Sequence, residues 1–421
     1  MNIKNLKIKN FKLFESQDFY FNPQMNIIIG DNATGKTSIL EALSYSLGTF
    51  FLGINSIDSK PLYNHQKRRK ILDTENIEIQ LPFRIDIVNS INGEEFTWYR
   101  DTNKSKGGAT SYRHAKNLID KAKELDRKVR EGKEVVQLPL IAYYGTDRVK
   151  DKERRAHKYE GSRFDGYYAS LDSEVVKKQF LIWFRDYEDS VLKFGADKAL
   201  YSAFTEAITT MVNDWGKIHY SWKLNDMLGQ LENGTWISFS MLSSGYKNIV
   251  RLTADIAYRA IILNPHLGRS AVKETEGVVL IDEIDMHLHP KWQKSIIKDL
   301  KITFPKIQFI ITTHSPFIIQ SLKSNELISL DSEITDEPYT KSFSDIVEDE
   351  MNIKEVQRSE KFLKMQEVAS EYFNLIKVGK NSSNSEETKL LKEKLDVLEL
   401  EFNNDPVFVA LMKAERKTEL S

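Results

Sequence analysis

The sequence predicts an α/β fold built around a parallel core sheet. Two short apolar runs, at residues 277–281 and 307–313, have the pattern of buried strands and flank a helical pattern at 290–303. A strand, a helix and a strand in this order form a parallel pair joined by a right-handed crossover. A third apolar run, at 26–29, ends at a glycine and precedes a helical pattern over 34–47, which adds a second strand–helix unit.

A mixed or antiparallel β subdomain is predicted at the N-terminus. The first 30 residues have the composition of strands. Residues 77–100 alternate apolar and polar side chains around Asn92 and Gly93, a pair typical of a tight hairpin turn. Residues 233–234 repeat this turn pair, and the run 138–144 indicates one further strand.

Helical patterns fill much of the remaining chain. They cover residues 111–134, 172–194, 196–215 and 244–263, and they return after an acidic stretch at 331–350. We therefore predict a helical lobe inserted into the α/β fold and a helical C-terminal appendage. The predicted organisation comprises an N-terminal lobe, the inserted helical lobe, a C-terminal lobe, and an acidic linker with the appendage, at residues 1–110, 111–240, 241–330 and 331–421.

The composition excludes several classes of protein. The 60 basic and 61 acidic residues give a net charge of -1, so the chain is not a uniformly basic nucleic-acid-binding protein. No cysteine is present, which rules out disulfides, thiolate metal sites and a cysteine nucleophile. No apolar run approaches the roughly 20 residues of a membrane-spanning helix, and the N-terminus has no apolar signal core. We expect a cytoplasmic protein without a membrane partner.

Two basic clusters leave DNA open as a partner. They lie at residues 65–70 and 148–158, and either could contact a phosphate backbone. Acidic residues within and beside the second cluster dilute its charge. A solvated surface is therefore the favoured interpretation of both clusters.

A phosphate-binding loop is predicted between the run at 26–29 and its helix. Residues 30–37 read GDNATGKT and match the pattern G-x-x-x-x-G-K-[ST] in full. The glycines let backbone N–H groups turn towards phosphate oxygens at the positive end of a helix. We expect Lys36 to reach the β- and γ-phosphates of ATP and Thr37 to ligate Mg²⁺. The other predicted nucleotide contacts in this loop are Gly30, Asn32, Ala33, Thr34, Gly35 and Ser38.

Two adjacent carboxylates follow the strand pattern at 277–281. Asp282 is placed to hold Mg²⁺ through water, and Glu283 is placed to activate the attacking water as the catalytic base. Alone, an apolar run with an acidic pair also fits a solvated strand end. The phosphate loop upstream makes the catalytic interpretation the stronger one.

Two further motifs come in an order that suits one nucleotide site. Residues 242–246 read LSSGY, so hydroxyls and a glycine lie at the start of a predicted helix. Taken alone, this segment is simply a helix N-cap followed by a glycine turn. Residues 312–316 read TTHSP and place His314 at the end of a predicted strand.

These motifs, in this order, resemble those of the RecF/SMC-like branch of the ABC ATPases. The opening strand at 5–14, the phosphate loop, DEID at 282–285 and HLHP at 287–290 carry the resemblance, which covers residues 1–330. It implies an ABC-type P-loop ATPase head with ATP and Mg²⁺ as cofactors. It also implies that two copies sandwich ATP between the phosphate loop of one and the signature motif of the other. The residues that it implicates are Ser243, Ser244 and Gly245 in the signature, Asp285 in the D-loop, His314 as a catalytic contact of the γ-phosphate, and Lys12 at the nucleotide.

One subgroup of this branch is more similar than the others. Residues 138–148, which read LPLIAYYGTDR, and an acidic patch followed by helices ending near Pro406 resemble ATPases of Septu-type and retron-associated antiphage systems. The resemblance implies a homodimer, or an oligomer of dimers, that gates an effector. In those systems the partner is a separately encoded HNH-type nuclease.

The sequence leaves alternatives and departures. A DNA-repair ATPase of the RecF type, acting directly on DNA, is the second candidate. A transporter nucleotide-binding domain is disfavoured by the RecF-like N-terminus. Ser244 and Tyr246 replace the usual glycine and glutamine of the signature. Gln80 and Gln137 are candidates for the Q-loop glutamine, and neither can be assigned.

Overall fold

A computed structural model describes most of the chain. The described residues are 1–72, 76–105, 110–132, 135–149, 161–172, 177–212, 214–331, 336–351, 368, 371, 390–395 and 397. Contacts divide the chain into a first unit, Met1–Ile346, and a second unit, Val347–Ser421. Most of the predicted helical appendage lies outside the described residues. Across the described ranges, no helix combines the length and the apolar character that crossing a membrane requires.

The described strands form four sheets. In chain order the strands are β1 Asn2–Phe11, β2 Phe14–Tyr20, β3 Met25–Ile29, β4 Arg69–Ile71, β5 Ile77–Ile79, β6 Phe83–Ile91, β7 Glu94–Thr102, β8 Leu140–Tyr144, β9 Trp215–Ser221, β10 Asp226–Leu231, β11 Trp236–Ser238, β12 Gly277–Ile281, β13 Ile307–Thr312 and β14 Leu327–Ser329. The described α-helices are α1 Lys36–Phe51, α2 Lys116–Arg130, α3 Lys177–Phe194, α4 Ala199–Met211, α5 Ser244–Leu263, α6 Ala271–Glu274, α7 Pro290–Gln293, α8 Ile296–Thr303, α9 Pro316–Ile319 and α10 Phe343–Asp345.

The predicted parallel core sheet is present. Its strand order is β14–β3–β13–β12–β8, and every neighbouring pair is parallel. Every residue of β3, β8, β12 and β13 is buried. A sheet covered on both faces selects continuous apolar runs, which is the pattern that these strands have.

The predicted N-terminal β subdomain is an antiparallel sheet with the order β2–β1–β6–β7. Asn92 and Gly93 form the turn between β6 and β7, and both have positive φ angles, of 50° and 83°. The side chain of Gln308 on β13 joins this sheet to the core sheet. It accepts a hydrogen bond from the Ile3 N–H at 2.7 Å and donates one to the Ile3 carbonyl at 2.8 Å.

Helices α1 and α5 cover opposite faces of the core sheet. Successive side chains of a strand point to opposite faces, so Tyr143 and Tyr144 of β8 identify the two sides. The Tyr144 hydroxyl donates to Asp255 on α5 at 2.7 Å. On the other face, the ammonium of Lys60 lies 4.7 Å from the centre of the Tyr143 ring and donates to Ser44 on α1.

Helix α5 is anchored at its middle and at its end. Asp255 pairs with Arg259 at 2.7 Å, and both side chains are buried. Burial raises the pKa of Tyr144 well above its usual value, with the Asp255 carboxylate adding to the effect, so the phenol stays a hydrogen-bond donor. Asn264 ends the helix, and its side chain exchanges two hydrogen bonds with the backbone of Leu138.

Two predicted segments differ in the structure. Residues 111–240, predicted as a helical lobe, contain α2, α3 and α4, but also β8 and the antiparallel sheet β11–β10–β9. The single helix predicted at 290–303 is two helices, α7 and α8. Side-chain periodicity continues across such a break, so it does not reveal where backbone hydrogen bonding is interrupted.

Candidate functional site

The loops that carry the predicted motifs meet at one edge of the parallel sheet. Because neighbouring strands run in the same direction, their carboxyl ends lie together. The phosphate loop follows β3, the acidic pair follows β12, and the histidine motif follows β13, the strand between them. Open α/β sheets bind their ligands outside this edge.

The phosphate loop has the backbone that its glycines predict. Gly30, Ala33 and Gly35 have positive φ angles, of 151°, 69° and 104°. Gly35 also leaves no room for a side chain, since a Cβ atom there would lie 2.7 Å from the Phe14 ring. Helix α1 begins at the next residue, so the loop and a helix N-terminus together offer a site for an anion.

The remaining loop residues differ in exposure. Asn32 and Ala33 are exposed, whereas Ser38 is buried in the first turn of α1. The Thr34 hydroxyl donates to the Asp31 carbonyl at 2.9 Å and so stabilises the turn of the loop. The exposed residues therefore lie within the loop, and the buried serine lies in the helix that follows it.

The side chain of Lys36 folds over the loop. Its ammonium donates to the carbonyl oxygens of Gly30 and Asp31, at 2.6 and 2.8 Å. Burial lowers the pKa of Lys36, and the carboxylate of Asp331, followed by that of Glu283, opposes the shift. The ammonium therefore lies within electrostatic reach of both the loop and the acidic strand end.

Asp282 connects the acidic strand end to the phosphate loop. Its carboxylate is 2% exposed and accepts hydrogen bonds from the hydroxyls of Thr37 at 2.9 Å and Thr312 at 2.6 Å. Carboxylate and hydroxyl oxygens are ligands that Mg²⁺ takes together with water and substrate phosphates. In the described part of the chain, no cluster of three or more acidic or histidine side chains could hold a metal alone. Asp282 and Thr37 thus fit a magnesium site that a nucleotide would complete.

Glu283 has an uncommon backbone conformation. Its φ is 47°, in the left-handed region, where non-glycine residues are infrequent and often functional. Its N–H donates to the Thr312 hydroxyl at 2.7 Å, and its side chain is partly exposed. The carboxylate is therefore accessible to water while the backbone that carries it is fixed.

Asp285 holds the segment that contains His314. Its carboxylate accepts hydrogen bonds from the Thr313 hydroxyl at 2.5 Å and from the His314 N–H at 3.3 Å. The predicted D-loop and the histidine motif are thus in direct contact. The side chain of His314 is partly exposed at the edge of the sheet.

The predicted signature begins helix α5. Ser243 is the N-cap, and its hydroxyl accepts a hydrogen bond from the Tyr246 N–H at 3.5 Å. Ser243 and Ser244 are exposed, so a second molecule can reach them. Gly245 is buried against the loop after β12, where a Cβ atom would lie 2.4 Å from the His287 carbonyl oxygen. This close approach requires a glycine.

Lys12 lies beside helix α1. Its ammonium pairs with Glu41 of that helix at 2.5 Å, and its N–H donates to the Gln66 carbonyl at 2.8 Å. Its backbone has a φ of 48°. These contacts place Lys12 next to the helix that follows the phosphate loop, and its contact with a nucleotide stays a prediction.

Two residues of the site have no role in the sequence-based prediction. Thr312 links Asp282 to Glu283, as described above, and Arg148 donates to the backbone carbonyl oxygens of both. Thr312 is the last residue of the buried strand β13, and Arg148 lies four residues after the buried strand β8. No local signal identifies Arg148, because a basic residue in a basic stretch indicates a solvated surface.

The described residues of the two basic clusters include buried as well as exposed side chains. Arg148 is 1% exposed, so the surface interpretation is wrong for this residue, and residues 150–158 lie outside the described ranges. In the first cluster, Lys67 is also 1% exposed and donates to the Lys104 carbonyl at 2.8 Å. Arg68 pairs with Glu15. The contacts of Lys67 and Arg68 reduce the charge that the first cluster can offer to DNA.

Two family models match the chain across this site. One, described as an AAA domain, matches residues 5–189, and one described as an AAA ATPase domain matches residues 193–319. Together with the phosphate loop and the strand-end carboxylates, these matches define the class. The chain is an ATPase.

Matches to individual proteins define the similarity more narrowly than the family models do. The chain is 28% identical over 384 residues to "Retron Vc95 probable ATPase" of Vibrio cholerae. The alignment covers 77% of this chain and 72% of the relative. It is 27% identical over 340 residues to Septu protein PtuA of Bacillus thuringiensis, and this alignment covers 78% of this chain and 75% of the relative. The chain is therefore a homologue of retron ATPases and of Septu PtuA, and the resemblance predicted from its motifs is confirmed.

A third relative is similar over a shorter segment. The DNA replication and repair protein RecF of Alkaliphilus oremlandii is 32% identical over 87 residues, which is 19% of this chain. This match covers 24% of the RecF chain.

We expect Gly245→Ala to destabilise the protein, because the added methyl group would overlap the His287 carbonyl oxygen. The loss should be about 1–3 kcal/mol, the usual range for overpacking, and urea unfolding measures it. Gly216→Ala is the matched control, since a Cβ atom there would lie 3.9 Å from its nearest neighbour. Equal stability of the two variants would contradict the packing of α5 described above.

Proposed function

We propose that this chain binds and hydrolyses ATP between two copies, and that the cycle gates a partner nuclease in antiphage defence. One observation carries the proposal: the phosphate loop, the acidic pair and the histidine motif meet at the carboxyl edge of one parallel sheet. Such an edge is where ligands bind in open α/β folds. The ATPase homologues support the same activity.

We assign nucleotide binding to the phosphate loop and to Lys36. The Lys36 ammonium donates to two neutral carbonyl oxygens, and the β- and γ-phosphates would offer it stronger, charge-assisted partners. Thr37 and Asp282 would hold Mg²⁺. When bound, the ion would neutralise negative charge on the phosphates.

We assign the role of general base to Glu283. Its carboxylate is accessible to water and follows Asp282 directly, so it lies beside the candidate magnesium ligands. It would take the proton of the water that attacks the γ-phosphate. His314, at the end of the neighbouring strand, would donate to the γ-phosphate oxygens, and Asp285 would hold its backbone.

The scheme requires a second copy, because the signature motif would contact the nucleotide bound by the phosphate loop of the other copy. Ser243 and Ser244 are exposed at the N-terminus of a helix of 20 residues, which suits a phosphate. We propose that they bind the γ-phosphate held by the phosphate loop of the other copy. ATP would then join the two copies, and hydrolysis would release them.

The homologues suggest the partner. The matches to a retron ATPase and to Septu PtuA span more than two thirds of each relative, so the similarity includes most of their length. We propose that this chain works with a separately encoded nuclease of the HNH type. A direct action on DNA, as in RecF-type repair, has weaker support, because the RecF match spans 19% of this chain.

Replacing Lys36 by Ala should weaken ATP binding by about 100-fold or more, because the main charge-assisted donor to the phosphates is lost. Calorimetry or a fluorescent ATP analogue measures the affinity. Lys7→Ala, at an exposed position of β1, is the control and should bind as the wild type does. Unchanged affinity in the Lys36 variant would refute the assignment of the phosphate loop.

The Glu283→Gln variant should bind ATP but hydrolyse it about 100-fold or more slowly, because the amide cannot accept the proton of water. With ATP and Mg²⁺ it should elute from a size-exclusion column as a dimer or a larger assembly. Glu15→Gln, at an exposed carboxylate, should behave as the wild type. The sandwich would be wrong if the Glu283 variant had the same size with and without ATP.

Affinity capture of the Glu283→Gln variant from its native host should recover a nuclease in the presence of ATP. The Lys36→Ala variant is the control for nucleotide dependence and should recover less of it. Stable binding of DNA by the purified chain, with no co-purifying nuclease, would instead favour the repair function.

A further inference from the structure

Arg148 joins three elements at the edge of the sheet where the candidate site lies. It follows β8 in a short 3-10 turn, Thr146–Val149, and is 1% exposed. Its guanidinium donates to the backbone carbonyl oxygens of Asp282 and, at 2.6 Å, of Glu283. It also donates to the side chain of Asn248 at 3.2 Å. One side chain thus connects the end of β8, the end of β12 and helix α5.

Helix α5 has further contacts at the same point. Asn248, in the second turn of the helix, also donates to the Met286 carbonyl at 3.1 Å. Arg251, one turn later, donates to the backbone carbonyl of Arg148 at 2.9 Å. The first turns of α5 are therefore bonded both to the loop after β12 and to the arginine that holds this loop. A displacement of Ser243 cannot leave these contacts unchanged.

Arg148 controls the backbone on which Glu283 is mounted. The carbonyl groups on both sides of the Glu283 Cα accept hydrogen bonds from the guanidinium, and the intervening N–H donates to Thr312. Glu283 has a left-handed backbone, a conformation that persists only where the surrounding contacts hold it. The position of the Glu283 carboxylate therefore depends on the position of Arg148.

A buried guanidinium is retained only where its N–H groups find acceptors. The Gly145 carbonyl supplies another, at 3.0 Å. Burial lowers the pKa of Arg148 to about 10, with the carboxylates of Asp282 and Asp285 opposing the shift, so the group stays charged at neutral pH. Its planar fork reaches three backbone carbonyl oxygens and the Asn248 amide oxygen at once, which a lysine ammonium on a flexible stem cannot reproduce.

Gln80 and Gln137, the two candidates for the Q-loop glutamine, form their described hydrogen bonds away from this edge of the sheet. Gln137 precedes β8, whose opposite end is at the site, and donates to the Glu274 carbonyl at 2.6 Å. Gln80 follows β5, outside the core sheet, and its N–H donates to the Arg68 carbonyl at 2.9 Å. Arg148 differs from both glutamines, because its side chain is bonded to the acidic strand end and to Asn248 of α5.

We propose that Arg148 is a positioning residue that couples the signature end of α5 to Glu283. When Ser243 binds the nucleotide of the second copy, the shift of α5 reaches Arg148 through Asn248 and sets the backbone of Glu283. Each copy then hydrolyses its own ATP when its signature is engaged. This inference rests on the proposed ATP sandwich. It adds the path by which engagement of the signature affects ATP hydrolysis by Glu283 of the same copy.

A double-mutant cycle on the full chain tests the coupling. The rate of ATP hydrolysis per bound nucleotide is measured for the wild type, Ser243→Ala, Arg148→Lys and the double variant. We expect Arg148→Lys to lower kcat by about 10-fold or more with little change in KM, because nucleotide contacts remain intact. Residues that act through one path give losses that do not multiply. The loss in the double variant should be at least about threefold smaller than the product of the single losses.

A purely structural role for Arg148 predicts a different result. The losses would then multiply within about threefold, and this outcome would overturn the proposal. If Arg148→Lys does not fold, Asn248→Ala replaces it in the same cycle, because it removes the side-chain contact of the arginine with α5, together with the bond from Asn248 to the Met286 carbonyl. Arg269→Lys, at an exposed ion pair with Glu206, is the control and should keep wild-type kcat.

The same series separates this proposal from the proposed function. The ATP sandwich and the coupling would both be contradicted if the wild-type chain did not hydrolyse ATP, or if the Glu283→Gln variant did not dimerise in the presence of ATP. Normal hydrolysis and dimerisation with multiplying losses would remove the role of Arg148 alone.

Discussion

The buried carboxylate of Asp282 is the constraint on which the site depends. A carboxylate that is 2% exposed must be satisfied by hydrogen bonds, because an unpaired charge in the interior is strongly unfavourable. Its partners come from two different elements, Thr37 at the start of α1 and Thr312 at the end of β13. Its own N–H donates to Tyr144 at the end of β8. One acidic side chain and its backbone thus fix the relative positions of the phosphate loop and three strand ends.

Local patterns were sufficient for the elements that the core fully buries. Strand β12 and helix α5 begin and end at the residues that the apolar patterns predict, because burial on two faces, or along one helix face, leaves a strong periodic signal. The phosphate loop was also predictable, since its glycines are required by a positive φ and by the contact with Phe14. Asn92 and Gly93 marked a hairpin for the same conformational reason.

Long-range pairing is what the sequence could not supply. Strand β8 was recognised as a strand, but nothing local showed that it pairs with β12 at the edge of the core sheet. The run 138–144 therefore falls within residues 111–240, the segment predicted as a helical lobe, although its strand belongs to the core sheet. The burial of Arg148 follows from this pairing, because only the position of β8 beside β12 brings the arginine under the carbonyl groups of Asp282 and Glu283. A basic residue in a basic stretch otherwise indicates a solvated surface.

The anchoring of α5 determines where that helix can move. Its middle is held by the buried pair of Asp255 and Arg259 and by Tyr144, and its end by Asn264. A helix fixed at two such points cannot slide along its axis without breaking buried polar contacts, which is unfavourable. Its N-terminal turns are bonded instead to the loop after β12 and to Arg148. These turns carry the exposed Ser243 and contact the loop that carries Glu283, so in the proposed ATP sandwich a force on the signature would act on that loop.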